Sequence, residues 1–146
     1  MADINHRPIA VQTFNACWEI LEKEGASVED YRELLTLAFT SRWHWSVVGG
    51  LDQWITSDWM VSRAASLYGD HLLARDFIDR AWNALSEESP DWLRASVAEG
   101  HARAALLAGD DTLFATWRAT ARELVAAIAE DEDRAVIADQ LAEIDR

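Results

Sequence analysis

The chain is short of cysteine, proline and positive charge, and each shortage excludes something. Cys17 is the only cysteine, so no intrachain disulfide can form. Nothing beside it marks an activated thiol, and a buried helical position is expected. There are only two prolines, and β-branched residues are sparse among abundant alanine and leucine. That balance favours helix over strand. Lysine and arginine number 13 against 26 aspartates and glutamates, a net charge of −13. Phosphate backbones and anionic membrane surfaces would be repelled, so neither nucleic acid nor membrane is an expected partner. No apolar run approaches the length of a membrane span. The first residues, Met1-Ala2-Asp3-Ile4, lack the basic start and apolar run of a signal peptide. A cytoplasmic location is expected.

Chemistry-bearing motifs are equally scarce. His6, His44, His71 and His101 show no metal-ligand spacing. Gly49-Gly50 reads as a helix end, without the strand that a phosphate loop needs. No serine sits in a nucleophile-elbow pattern. No cofactor and no metal are expected, and no reaction is named.

What is present is a repeat. Arg63-Ala64-Ala65-Ser66-Leu67-Tyr68-Gly69-Asp70 returns as Arg103-Ala104-Ala105-Leu106-Leu107-Ala108-Gly109-Asp110. The match continues from Leu73 to Leu113, from Phe77 to Trp117 and from Ala81 to Ala121. A period of this size marks stacked helical hairpins. The expected fold is all-α and tetratricopeptide-like, a single helical-repeat domain over 1–146. Its seven helices are predicted at about 7–24, 28–48, 52–68, 71–86, 90–108, 111–129 and 132–144. Ser27 with Asp30 has the form of a capping box. Gly100 is the one glycine that falls inside a helical pattern. Leu67 and Leu107 are expected at the turn ends, with Phe77 and Trp117 reaching back from the second helices.

Eight tryptophans in 146 residues is a high count. Either they are core and hairpin-packing residues, the favoured reading, or some of them line a pocket. One polar–aromatic cluster stands out. Ser41-Arg42-Trp43-His44-Trp45 ends the second helix, and Trp54, Trp59, Ser62 and Arg63 follow in the third. Trp59 and Arg63 stand one turn apart, the spacing of a cation–π pair. Glu99 replaces Trp59 in the second repeat and can pair with Arg103 in the same geometry. The two arginines are therefore expected to hold different partners. His44 lies on an apolar seam with Leu37 and Val48. It is either a core histidine or, with Trp45, Trp59, Arg63 and Arg103, part of a site for a small anionic or aromatic molecule.

The segments Ser41-Arg42-Trp43-His44-Trp45, Val48-Gly49, Trp59, Ser62-Arg63, Ala102-Arg103-Ala104 and Gly109-Asp110 resemble a family of uncharacterised bacterial tetratricopeptide-like proteins. The resemblance spans about 14–144. It implies a helical-repeat fold in a cytosolic bacterial protein, and no activity. Two functional readings follow. The favoured one is a binding or scaffold protein whose concave face takes a peptide or protein. The alternative is a small-molecule-binding protein or small enzyme built around His44. A homodimer through the tryptophan-rich face is a further expectation.

Overall fold

The repeated Gly-Asp pair does two jobs at each turn. Gly69 and Gly109 take left-handed backbone conformations, φ 99° and 73°, which a side chain would strain. Asp70 and Asp110 then cap the following helices: their carboxylates accept from the amides of Leu73 and Leu113, each at 3.0 Å. The same aspartates donate their own amides back to Ala65 and Ala105. One dipeptide thus closes one helix and opens the next, which forces a tight antiparallel hairpin.

The computed structural model describes residues 3–145 and contains seven helices. They are α1 (His6–Leu21), α2 (Val28–Val48), α3 (Leu51–Tyr68), α4 (His71–Ala84), α5 (Asp91–Ala108), α6 (Asp111–Ala126) and α7 (Asp131–Ile144). The capping box forms as expected: the Asp30 amide donates to Ser27 Oγ, and the Ser27 amide to Asp30. Helices α1, α4 and α6 stop two or three residues earlier than periodicity predicts. After α4 the backbone turns extended at Leu85, where Ser86 donates its amide to Ser89 Oγ and Arg94 donates to the Ser86 carbonyl.

Three hairpins, α1–α2, α3–α4 and α5–α6, stack in order, and α7 packs on α5 and α6. Helix α5 also packs on α3, so α3, α5 and α7 form an inner row that α1 joins through Trp18 on Trp59, 5.9 Å between rings. Two serines from the quoted motifs tie the first two hairpins. Ser41 of α2 donates to the Ala10 carbonyl of α1 at 2.8 Å, and Ser62 of α3 to the Ala74 carbonyl of α4 at 2.7 Å. All four residues are buried, so each hydroxyl satisfies itself on a helix carbonyl. Leu67 packs on the core, but Leu107 is 40% exposed, so only the first of the two repeat turns is covered.

The core divides into two clusters. One runs through α1–α4 and takes Leu93, Val97 and Ala104 from α5. The other joins α5, α6 and α7 and takes Ala95, Ala98 and Ala102 from the opposite face of α5. Gly100 lies within α5 because α4 approaches so closely: an added Cβ would overlap Ile78 Cδ1 and meet its Cγ1 at 3.0 Å. Gly100→Ala should gain about 1 kcal/mol in helix propensity but lose about 1–3 kcal/mol to overpacking. Urea melts are expected to show net destabilisation that Ile78→Val largely reverses. A more stable single variant would show that Ile78 yields freely.

Candidate functional site: an aromatic recess beside a closed ion network

The five residues singled out from sequence do not share one cavity. His44 is buried between α1 and α2, with its Nδ1 2.9 Å from His6 Nδ1 and its ring edge-on to Trp43 at 4.7 Å. Burial, then the neighbouring His6, holds its pKa below the ordinary histidine value. His6 and His44 together dock the start of α1 onto the end of α2. Nearby, Arg7 lies over the Trp45 ring, 5.3 Å from its centroid, and Trp54 donates its indole N–H to the Trp45 carbonyl.

Arg63 and Arg103 do come together, and they share partners. Arg63 turns away from the Trp59 face that the i, i+4 spacing offers. It reaches Glu99 at 3.4 Å and Glu143 at 2.8 Å. Arg103 donates to Glu99 at 2.9 Å and to the Gln140 carbonyl at 3.1 Å, and approaches Glu143 at 3.3 Å. The Glu99–Arg103 pair forms as its spacing predicts, but the expectation of separate partners is overturned. The reason is burial. The Arg63 side chain is 9% exposed and Glu99 is 0% exposed. A guanidinium at that depth needs an anion, and an aromatic face is a poor substitute. Burial and Arg103 lower the Arg63 pKa, while Glu99 and Glu143 oppose them. Two cations and two anions cancel, so the cluster offers no free positive charge to a ligand.

Beside this network the inner row leaves a recess of 220 Å³. Phe14 and Trp18 come from α1, Trp59 from α3 and Trp92 from α5. Helix α7 closes it with Asp133, Ile137 and Gln140. A second recess of 300 Å³ adjoins it, sharing Phe14, Thr56 and Trp92 and adding Trp45, Asp52 and Gln53. Trp45 and Trp59 thus stand on neighbouring stretches of one groove. The α1 wall follows from helical spacing: Phe14 and Trp18 are one turn apart on one face. Gln140 is 91% buried by its 9% exposure, and its Oε1 finds no donor.

Two other hollows are less suited to a ligand. One of 560 Å³ holds Arg42, Trp54, Asp58 and Arg80, but Asp58 already grips Arg42 at 2.5 Å and Arg80 at 3.6 Å. Another of 470 Å³ exposes an edge of His101, whose ring is stacked on Trp117 at 3.9 Å. Burial pushes the Cys17 thiol up to about 12, which removes it as a nucleophile. Among the described residues no group of three or more histidine, cysteine, aspartate or glutamate side chains could hold a metal, and no helix is long and apolar enough to cross a membrane.

Sequence reasoning missed Phe14, Trp18, Trp92, Gln140 and Glu143. The tryptophans were visible as a count, but their convergence joins helices far apart in the chain. Glu143 sits in an acidic C-terminal helix where one carboxylate resembles the next. No family, curated protein or solved structure matches the chain.

Proposed function

We propose that the protein is a non-catalytic binding module of stacked helical hairpins, which seats its ligand in the aromatic groove of the inner row. One observation carries this reading: rings from α1, α3 and α5 converge on a recess whose neighbouring arginines, Arg63 and Arg103, are already paired. Such a surface gains its affinity from burying apolar and aromatic area. The titratable side chains in the groove are Asp52 and Asp133. Neither is paired with a histidine, cysteine or lysine in the groove that would make a nucleophile or a proton shuttle. The setting implied by the sequence resemblance, a cytosolic bacterial protein, is consistent with this role.

Trp92 lines both recesses and, though partly exposed, packs against both core clusters, so its truncation is informative only in a variant that keeps the wild-type circular dichroism spectrum. A thermal-shift screen should compare wild type with Trp92→Ala against organic cations, neutral compounds and acids. A ligand should raise the wild-type Tm by several degrees and leave an equally folded Trp92→Ala unmoved. If no compound of any class stabilises the wild type, or if hits stabilise both proteins alike, the groove is not the binding site.

A further inference from the structure

We infer that the recess walled by Trp18, Trp59 and Trp92 is selective for a quaternary ammonium head group; this rests on the binding reading above. Three observations point the same way. Three indoles line it, and an indole attracts a cation placed against its ring. The charged side chains lining the two recesses are Asp133 and Asp52, both anionic. Arg63 and Arg103, which would otherwise favour an acid, are engaged by Glu99 and Glu143. The molecule's net charge of −13 adds attraction for any cation approaching from solution.

The degree of substitution follows from hydrogen bonding. A primary ammonium carries three N–H donors, and each must find an acceptor when it leaves water. The 220 Å³ recess is apolar over most of its wall; Ser96 is buried and Gln140 Oε1 is closed to solvent, which leaves Thr56 and Asp133 as its open side-chain acceptors. A quaternary ammonium has no N–H to satisfy, presents methyl groups to the indoles and keeps its charge. The recess lies below the roughly 300–1,000 Å³ of sites for drug-sized ligands. It therefore fits a head group, with the adjoining 300 Å³ stretch past Trp92 and Trp45 free for a short substituent.

The test uses a matched pair, choline and its uncharged isostere 3,3-dimethylbutan-1-ol, titrated into the full chain at constant ionic strength. Binding is read from the indole N–H resonances, assigned by single Trp→Phe variants. Choline should saturably shift Trp18, Trp59 and Trp92, leave the exposed Trp43 unmoved, and bind at least tenfold more tightly than the alcohol. Asp133→Asn should weaken choline several-fold and leave the alcohol unchanged. Trp92→Ala, with an unaltered circular dichroism spectrum, should weaken choline at least tenfold. Equal binding of both compounds would overturn the inference and leave an apolar site, with the binding reading intact. Binding by neither would also overturn it, and the wider thermal-shift screen then decides the binding reading separately. Shifts confined to Trp43 or Trp54 would place the cation on the surface and overturn it as well.

Discussion

Glu99→Ala is expected to lower the unfolding free energy by about 3–5 kcal/mol, the usual consequence of removing one partner from a buried ion pair. Glu99 is fully buried and its Oε1 is the acceptor shared by Arg63 and Arg103. Without it two guanidinium groups remain against each other, 9% and 12% exposed, with Glu143 as the one anion still paired with them among the described residues. The damage is loss of compensation more than loss of attraction. Hence a triple replacement, Arg63→Met with Glu99→Leu and Arg103→Met, should recover most of the deficit. Glu143→Ala should cost far less, because its side chain is 48% exposed and water screens its contribution. Guanidinium melts of the four proteins at neutral pH check the ordering. A Glu99→Ala cost below about 1 kcal/mol would mean the arginines can reach solvent, which their burial here excludes.

The second large effect is on acid stability. His101 is buried, stacked on Trp117 and edge-on to Trp82, with its Nε2 unpartnered. Burial, then the charge of Arg75, pushes its pKa down from 6.5 to about 4. Asp79 stands 3.6 Å from Nδ1, outside hydrogen-bond range and half-exposed, too weak an anion to reverse this. A histidine held neutral in the fold but free to protonate when unfolded stabilises the protein fully above about pH 6.5. That contribution is lost as the pH falls toward 4, because the unfolded chain then takes up the proton first. The span corresponds to about 3 kcal/mol. His44, also depressed, acts in the same direction. His101→Phe keeps the stack and removes the titration, so its stability should fall less steeply between pH 7 and 4. Parallel slopes in denaturant melts of the two proteins would show that His101 ionises freely in place.

The parts of the fold that sequence revealed are those set by local chemistry. Gly69-Asp70 and Gly109-Asp110 announce a left-handed close and a carboxylate cap within two residues, and Ser27 with Asp30 does the same for α2. The site was legible only in fragments. Trp59 and Arg63 are neighbours on one helix, so spacing pairs them, but Arg63 is claimed by Glu143, eighty positions away in sequence. His44 is buried, and its partner His6 belongs to another helix. The largest change concerns charge. Two arginines and a histidine in sequence point to an anionic ligand, and that expectation depends on their being unpaired. Glu99 and Glu143 compensate the arginines, and only the packing of α7 on α5 brings Glu143 there.

Helix α5 has one further consequence, for the freedom of its sequence to vary. Every position from Ala95 to Ala102 is buried: Val97, Ala95, Ala98 and Ala102 enter the two core clusters, Glu99 the ion network, Ser96 the wall of the aromatic recess, Gly100 the contact with Ile78 and His101 the stack on Trp117. Most helices of such a stack keep an outer stripe on which substitutions are nearly neutral. This stretch has none, and it is written in alanine, serine, valine and glycine around Glu99 and His101. A mutational scan would find here a run of eight consecutive intolerant sites, paralleled by Ser57–Ala65 of α3, where the outer helices alternate tolerant and intolerant positions every three or four residues. Any divergent relative should therefore be easiest to recognise by these two adjoining inner segments, Ser57–Ala65 and Ala95–Ala102, even where its outer tryptophans have been exchanged.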